Sequence, residues 1–277
     1  VAAAALALLG AFSWGVGDFL GGLASRRIAV LTVLALSQAV GLAGVLLWVL
    51  LAGDPFPGIG ELVPASGAGA AGALGLAALY RGMAIGAMGI VAPISAASPV
   101  VPLSVDAAQG IVPSAVQWAG VACVLTGIVI LSREPATTGG RVAEGAGLAL
   151  LAALGFGLFV VGLDAGADES APWAVVAARS TSVTLAVSVA LAMSAPLRAP
   201  RSLVPMVAGV GVFDTGANVL VAFAVTRGSA GVVSVLSALY PVTTVLLARL
   251  VLGEQLERSR RVGAVLALAG AGLVAAG

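Results

Sequence analysis

The chain reads as an all-α integral membrane protein, with ten transmembrane helices arranged as two inverted five-helix repeats. Three observations predict this. Hydrophobic residues make up 60% of the 277 residues and charged ones only 9%, with a mean hydropathy of +1.15. A soluble domain carries about 25% charge. Apolar stretches of about 20 residues, the length a helix needs to cross a bilayer, recur ten times along the chain. The two halves also match at a fixed offset of 142 residues.

The first predicted span, 2–22, starts in VAAAALALLGAFSWG, which resembles the apolar core of a signal peptide. It lacks a basic flank and recurs later as a non-terminal segment, so it reads as a retained span. Spans at 30–51, 62–80, 88–107 and 115–132 follow. The longest polar break, SREPATTGGRVAE at Ser132–Glu144, divides the chain into a first repeat (1–132), a linker (133–142) and a second repeat (143–277). The remaining spans are 143–163, 172–194, 203–224, 230–251 and 261–277. Connections are short and hold most of the glycine, proline and charge, as turns should.

The repeat shows first at the amino ends of the halves. Leu6-Ala7-Leu8-Leu9 aligns with Leu148-Ala149-Leu150-Leu151, Ala11 with Ala153, Gly15 with Gly157, and Trp14 falls opposite Phe156. It is densest where two spans carry a proline halfway, Pro99 in SAASPVV and Pro241 in SALYPVT. There Gly86, Gly89, Val91, Ser95, Ala96, Pro99 and Val100 recur as Gly228, Gly231, Val233, Ser237, Ala238, Pro241 and Val242. A mid-helix proline removes a backbone hydrogen bond, tolerated in hydrocarbon only where protein or water satisfies the freed carbonyl. Interrupted helices at matching positions point to a transporter's binding site, and five spans per half make the repeat an inverted one. Pro99 and Pro241 are the expected helix breaks. Gly17 and Gly21, spaced by four, fit general close helix packing.

Ten spans place both termini on one face. The other face collects Arg26, Arg27, Arg81, Arg133, Arg141, Arg198, Arg201, Arg258, Arg260 and Arg261, with Arg249 close by. The terminal face holds Asp54, Glu61, Asp164, Asp168 and Glu169, with Arg227 as its sole basic residue. Positive-inside counting makes the arginine-rich face cytoplasmic.

Composition also excludes. The chain has no His, no Lys and one cysteine, Cys123, in an apolar run. No internal disulfide and none of the usual zinc sites can be built from that inventory, so neither metal nor cofactor is expected. No basic patch with interleaved aromatics suggests nucleic acid. With no Lys there is no Gly-x-x-x-x-Gly-Lys loop for ATP.

Several stretches carry a family likeness: Leu79-Tyr80-Arg81-Gly82 leading to Ser98-Pro99-Val100; Ala222 to Gly228 leading to Leu239-Tyr240-Pro241-Val242; and Leu252-Gly253-Glu254 followed by Gly263. Along its whole length the chain resembles the drug/metabolite transporter superfamily, of the EamA type. The resemblance implies ten helices in two inverted halves, a central cavity and alternating access for a small metabolite. The first half departs from the pattern, with Gly110-Ile111 where the repeat usually has Gly-Glu. The resemblance also implies cytoplasmic termini, opposite to the arginine count, so orientation stays open.

Charges at membrane depth are costly and point to function. Asp214 lies mid-span, with Asn218 one turn on along the same face. Asp214 is a candidate for a substrate amine or a coupling proton, or else a structural acid bonded to a neighbouring helix. Arg179 sits about 10 Å into its span, within reach of snorkelling to the interface. Its other readings are a carboxylate ligand or a partner of Asp214. Asp18 is a gate candidate, or a surface partner of Arg26 and Arg27. Trp14 reads as a cavity wall, Tyr240 as a hydroxyl beside the second break, and Tyr80 as an interfacial belt residue. Ser95, Ser98 and Ser237 lie within a turn of the prolines, placed to satisfy freed backbone groups or to meet a ligand; Ser98 is kept as a ligand candidate. Asp106 and Arg249 read as interfacial anchors, and Gln38 as a helix–helix hydrogen-bonding residue.

The favoured function is a secondary active transporter in the bacterial inner membrane, exporting amino acids or similar small metabolites, with proton coupling through Asp214. A flippase for a lipid-linked sugar is the alternative within the same superfamily. A membrane-embedded enzyme is disfavoured, because no nucleophile–base pair, protease serine motif or carboxylate pair lies within one span. The expected partners are the lipid bilayer, a small-molecule metabolite and a proton. Substrate identity and oligomeric state are not legible.

Overall fold

The computed structural model describes residues 1–85, 91, 94–132, 142–253 and 257–277, with the side chains of Tyr80, Met83 to Ile85, Ser132 and Val142 to Glu144 outside that description. Expectations for Gly86, Gly89, Arg133, Arg141 and Glu254, for most of the linker and for the Tyr80 ring therefore fall outside the described residues.

No strand occurs among the described residues. The helices are α1 (Ala2–Ser25), α2 (Val30–Ala52), α3 (Ile59–Ile85), α4 (Val100–Ala108), α5 (Ala115–Ser132) and α6 (Val142–Ala167). They continue as α7 (Ala171–Ala192), α8 (Val204–Val225), α9 (Ala230–Ser237), α10 (Tyr240–Leu252) and α11 (Arg258–Ala276). Eight stretches are long and apolar enough to cross a membrane, counting α9 and α10 as one, and Ala115–Leu131 is a shorter apolar helix. The chain is a multi-pass membrane protein. Its helices show many apolar residues to the outside, among them Leu50, Leu51, Leu74 and Leu250, as helices in lipid do.

The ninth predicted span is broken, and the break precedes its proline. α9 ends at Ser237 and α10 starts at Tyr240, with Ala238 and Leu239 between them. Pro241 thus stands in the first turn of α10, where a missing N–H costs nothing because no intrahelical partner exists there. Pro99 likewise caps α4 rather than interrupting it. The carbonyls at the breaks are met by short-range bonds, Leu239 N–H to Leu236 O (3.3 Å) and Val101 N–H to Ser98 O (3.1 Å). The Ser237 hydroxyl, expected to satisfy a freed backbone group, is buried without a hydrogen-bond partner.

Packing pairs each half with the other. α1 lies along α8 and α3 along α6, α2 meets both α7 and α8, and α5 lies along α11. Small residues make these approaches possible. A Cβ on Gly15 would fall 2.6 Å from the Tyr240 carbonyl oxygen, and one on Gly157 would fall 2.7 Å from the Ser98 carbonyl oxygen. These two contacts are the same contact displaced by 142 residues. At the α5–α11 seam, Gly120 approaches Gly270 and Gly127 approaches Gly263 equally closely.

The two halves of the broken span differ in burial. Every residue of α9 is buried except Val232, whereas α10 is buried only at Val242. The seal over α9 includes Asp106, expected at an interface but only 3% exposed. Its carboxylate accepts the Gly231 N–H at 2.7 Å. An acid at the end of α4 meets the positive start of α9 there, a favourable placement for a carboxylate.

Candidate functional site

The site forms where α1 and α8 run antiparallel. Gly10 meets Ala217 and Val221, Gly17 meets Phe213 and Asp214, and Gly21 meets Val210. With backbones that close, residues one turn apart on each helix face each other in register. Trp14 and Asp18 share one face of α1, and Asn218 and Asp214 share one face of α8.

The pairs differ in chemistry. Trp14 Nε1 donates to Asn218 Oδ1 at 3.1 Å. Asp18 and Asp214 place two like charges within electrostatic range of each other. Ser13, beside Trp14, donates to the Phe213 carbonyl at 2.6 Å, which fixes the backbone just before Asp214. The break between α9 and α10 supplies Tyr240, whose ring meets Trp14 edge-on with centroids 6.4 Å apart. The Thr244 hydroxyl is shared between the carbonyls of Gly15 and Tyr240, each at 3.2 Å, tying α10 to α1.

From α7 comes Arg179, which does not snorkel. It is 6% exposed, and its Nη2 donates to Asp214 Oδ2 in an ion pair. The pair is asymmetric, with side-chain exposures of 7% for Arg179 and 35% for Asp214. Arg179 Nε is buried without a partner. Nearby, Gly41 of α2 packs on Thr215, and the Gln38 Oε1 and Thr215 Oγ1 atoms are also buried and unpartnered. Gln38 was expected to bond a neighbouring helix through its amide; its oxygen does not.

Helix count places the ion pair near the middle of its two helices. Arg179 is eight residues into α7 and Asp214 ten residues into α8, about 12 and 15 Å at 1.5 Å per residue. Trp14, Asp18, Arg179, Asp214, Asn218 and Tyr240 are therefore brought together, from α1, α7, α8 and α10. Ser98 is not part of this group. Its carbonyl faces Gly157 on α6, and its hydroxyl makes no hydrogen bond among the described residues. Asp18 is exposed, and the ion pair of the site among the described residues is that of Arg179 with Asp214. Ser13, Thr215 and Thr244 were missed by sequence reading. Ser13 alone carried a signal, being adjacent to Trp14 on a helix with few polar residues.

A separate cavity of about 370 Å³ opens at the acidic face, lined by Trp48, Asp54, Asp168, Glu169, Phe223 and Arg227 among others. Trp173 Nε1 donates to the Asp54 carbonyl at 3.1 Å and meets Phe56 edge-on, pinning the α2–α3 connection to α7. Among the described residues no cluster of His, Cys, Asp or Glu could hold a metal ion.

Comparison with known proteins gives the family context. The model of the EamA-like transporter family matches residues 1–133 and 143–276. One solved crystal structure superposes with a TM-score of 0.78 over 98% of this chain and 95% of that one, at 17% identity. That likeness shows the fold. No curated protein matches the sequence.

Proposed function

The chain belongs to the EamA-like transporter family, and on that premise we propose that it is a secondary active transporter working by alternating access across a bacterial inner membrane. The cargo is an amino acid or a similar small amine-bearing metabolite. The observation that carries this reading is the polar set at mid-membrane: an ion pair, an unpartnered guanidinium N–H and two facing aromatic rings on helices drawn from both halves. Polar groups at that depth are costly, and a set with spare donors and acceptors is suited to a polar cargo.

The correspondence of Gly15 at Tyr240 with Gly157 at Ser98 supports two inverted repeats, about 1–132 and 143–277, meeting at this site. The sealed α9 beside the sparsely buried α10 supports a state open toward the arginine-rich face. With that face taken as cytoplasmic, this state admits cargo from inside, as the first step of export requires. The lipid-linked-sugar reading needs a cation left to neutralise a phosphate, and the charge of Arg179 is already met by Asp214.

The test is flux in proteoliposomes for a panel of amino acids and small amines, with and without a pH gradient. Wild type should carry at least one panel member, and Asn218→Ala should raise its KM. Panel-wide failure of a folded protein, or flux unaltered by Asn218→Ala, would refute the site.

A further inference from the structure

We infer that Asp18 is the cation-binding carboxylate of the site, and that the site closes toward the arginine-rich face only when a positive charge sits there. This rests on the transporter reading above and names the residue that couples loading to closure.

The charges facing Asp18 can be counted element by element. α1 packs against α2, α8, α9 and α10. α2 and α9 contain no charged residue. α8 contains one, Asp214, whose backbone lies against Gly17. α10 meets α1 through Tyr240 and Thr243 at Gly15, one turn before Asp18, and its one charge, Arg249, is exposed. The site's guanidinium comes from α7, where Arg179 is the sole charged residue and pairs with Asp214. The set thus holds two carboxylates and one guanidinium, the latter paired with Asp214, and is one positive charge short.

In the open state this imbalance is tolerable. Asp18 is exposed although it lies seven residues, about 10 Å, inside the end of α1. Closure would remove its water, and an uncompensated buried charge is strongly unfavourable. A proton or a protonated amine on Asp18 cancels the excess charge, so the loaded site can occlude while the empty one resists. Arg179 Nε–H, buried and unpartnered, remains to donate to an oxygen of the same cargo. Asp214, by contrast, already has its counter-ion.

Gly22 offers a reporter. It is one turn beyond Asp18 on the same face of α1, is exposed, and a Cβ there would meet nothing within 4 Å. The experiment uses the full chain with Cys123→Ser and Gly22→Cys, alkylated by a membrane-impermeant maleimide in reconstituted vesicles. Rates are normalised to a Ser259→Cys variant, exposed at the start of α11, to remove the thiol's own pH dependence. Two arms separate the sources of charge: a pH series from about 9 to about 5, and ethanolamine added at about pH 8.

Protection of about tenfold is expected in at least one arm. Asp18→Asn should be protected throughout, and Asp18→Glu should restore the dependence. Protection by pH alone assigns a proton and protection at fixed pH assigns the ammonium; either supports the inference. An Asp18→Asn profile that matches wild type overturns it while leaving the transporter reading intact, because a change of state is then still seen. No protection in either arm of wild type also overturns it, and panel flux then judges the transporter reading separately.

Discussion

Removing the carboxylate of Asp214 is the sharpest structural perturbation available. Asp214→Asn leaves Arg179 charged, 6% exposed, and with Nε already unpartnered. Breaking a buried ion pair from one side costs about 3–5 kcal/mol. Asp214 is about one-third exposed, so solvent screens part of the interaction and the expected loss is about 2 kcal/mol. That corresponds to about 4–8 °C in melting temperature. Arg179→Gln should cost less, about 1 kcal/mol, because the acid it abandons can be compensated by water. The double variant should fall short of the sum, since the two side chains act on each other. Thermal unfolding of the detergent-purified protein reads all three. If Arg179→Gln costs more than Asp214→Asn, or the double variant is additive, the asymmetric pair does not hold in solution.

Other positions test the surrounding geometry. Gly15→Ala and Gly157→Ala each drive a methyl into a carbonyl oxygen and should lose about 1–3 kcal/mol in the same assay. Gly44→Ala, in open space on α2, should be neutral or slightly stabilising. Trp14→Phe keeps a ring against Tyr240 but leaves the buried Asn218 Oδ1 without its donor, so it should cost about 1–3 kcal/mol in the same assay and raise KM for the carried solute. Asp106→Ala frees the buried Gly231 N–H and should cost about 1.5–3 kcal/mol. It should also expose α9 from the acidic face, read as faster alkylation of Ser229→Cys in a Cys123→Ser background.

The sequence made some of this legible and hid the rest for physical reasons. Asp214 and Asn218 were readable as one helical face, because the 3.6-residue period is local. That Arg179 meets Asp214 depends on how α7 leans on α8, which no local pattern encodes. The prolines marked a broken span, yet the break lies before Pro241, since a proline is comfortable in a first turn. Asp106 looked interfacial because it stands near a span end; its meeting with Gly231 is tertiary, 125 residues away. Gly15 and Gly157 were visible as a repeated pair, but their contact partners were not. Of the α5–α11 glycines the sequence singled out Gly263 alone, because Gly120 and Gly127 recur as Gly263 and Gly270, one residue off the main offset.

The most direct measurement for the central claim is two-sided accessibility of the site itself. A single cysteine at the half-buried Thr244, with Cys123→Ser, is exposed to impermeant maleimide from each face of oriented vesicles, with cargo and without. Alternating access at this mid-membrane site predicts labelling from the arginine-rich face in the unloaded protein. It also predicts labelling from the acidic face in a fraction that rises when the flux-positive panel member is added. Labelling from one face under all conditions, or from neither, would contradict a transport site at Asn218 and its neighbours.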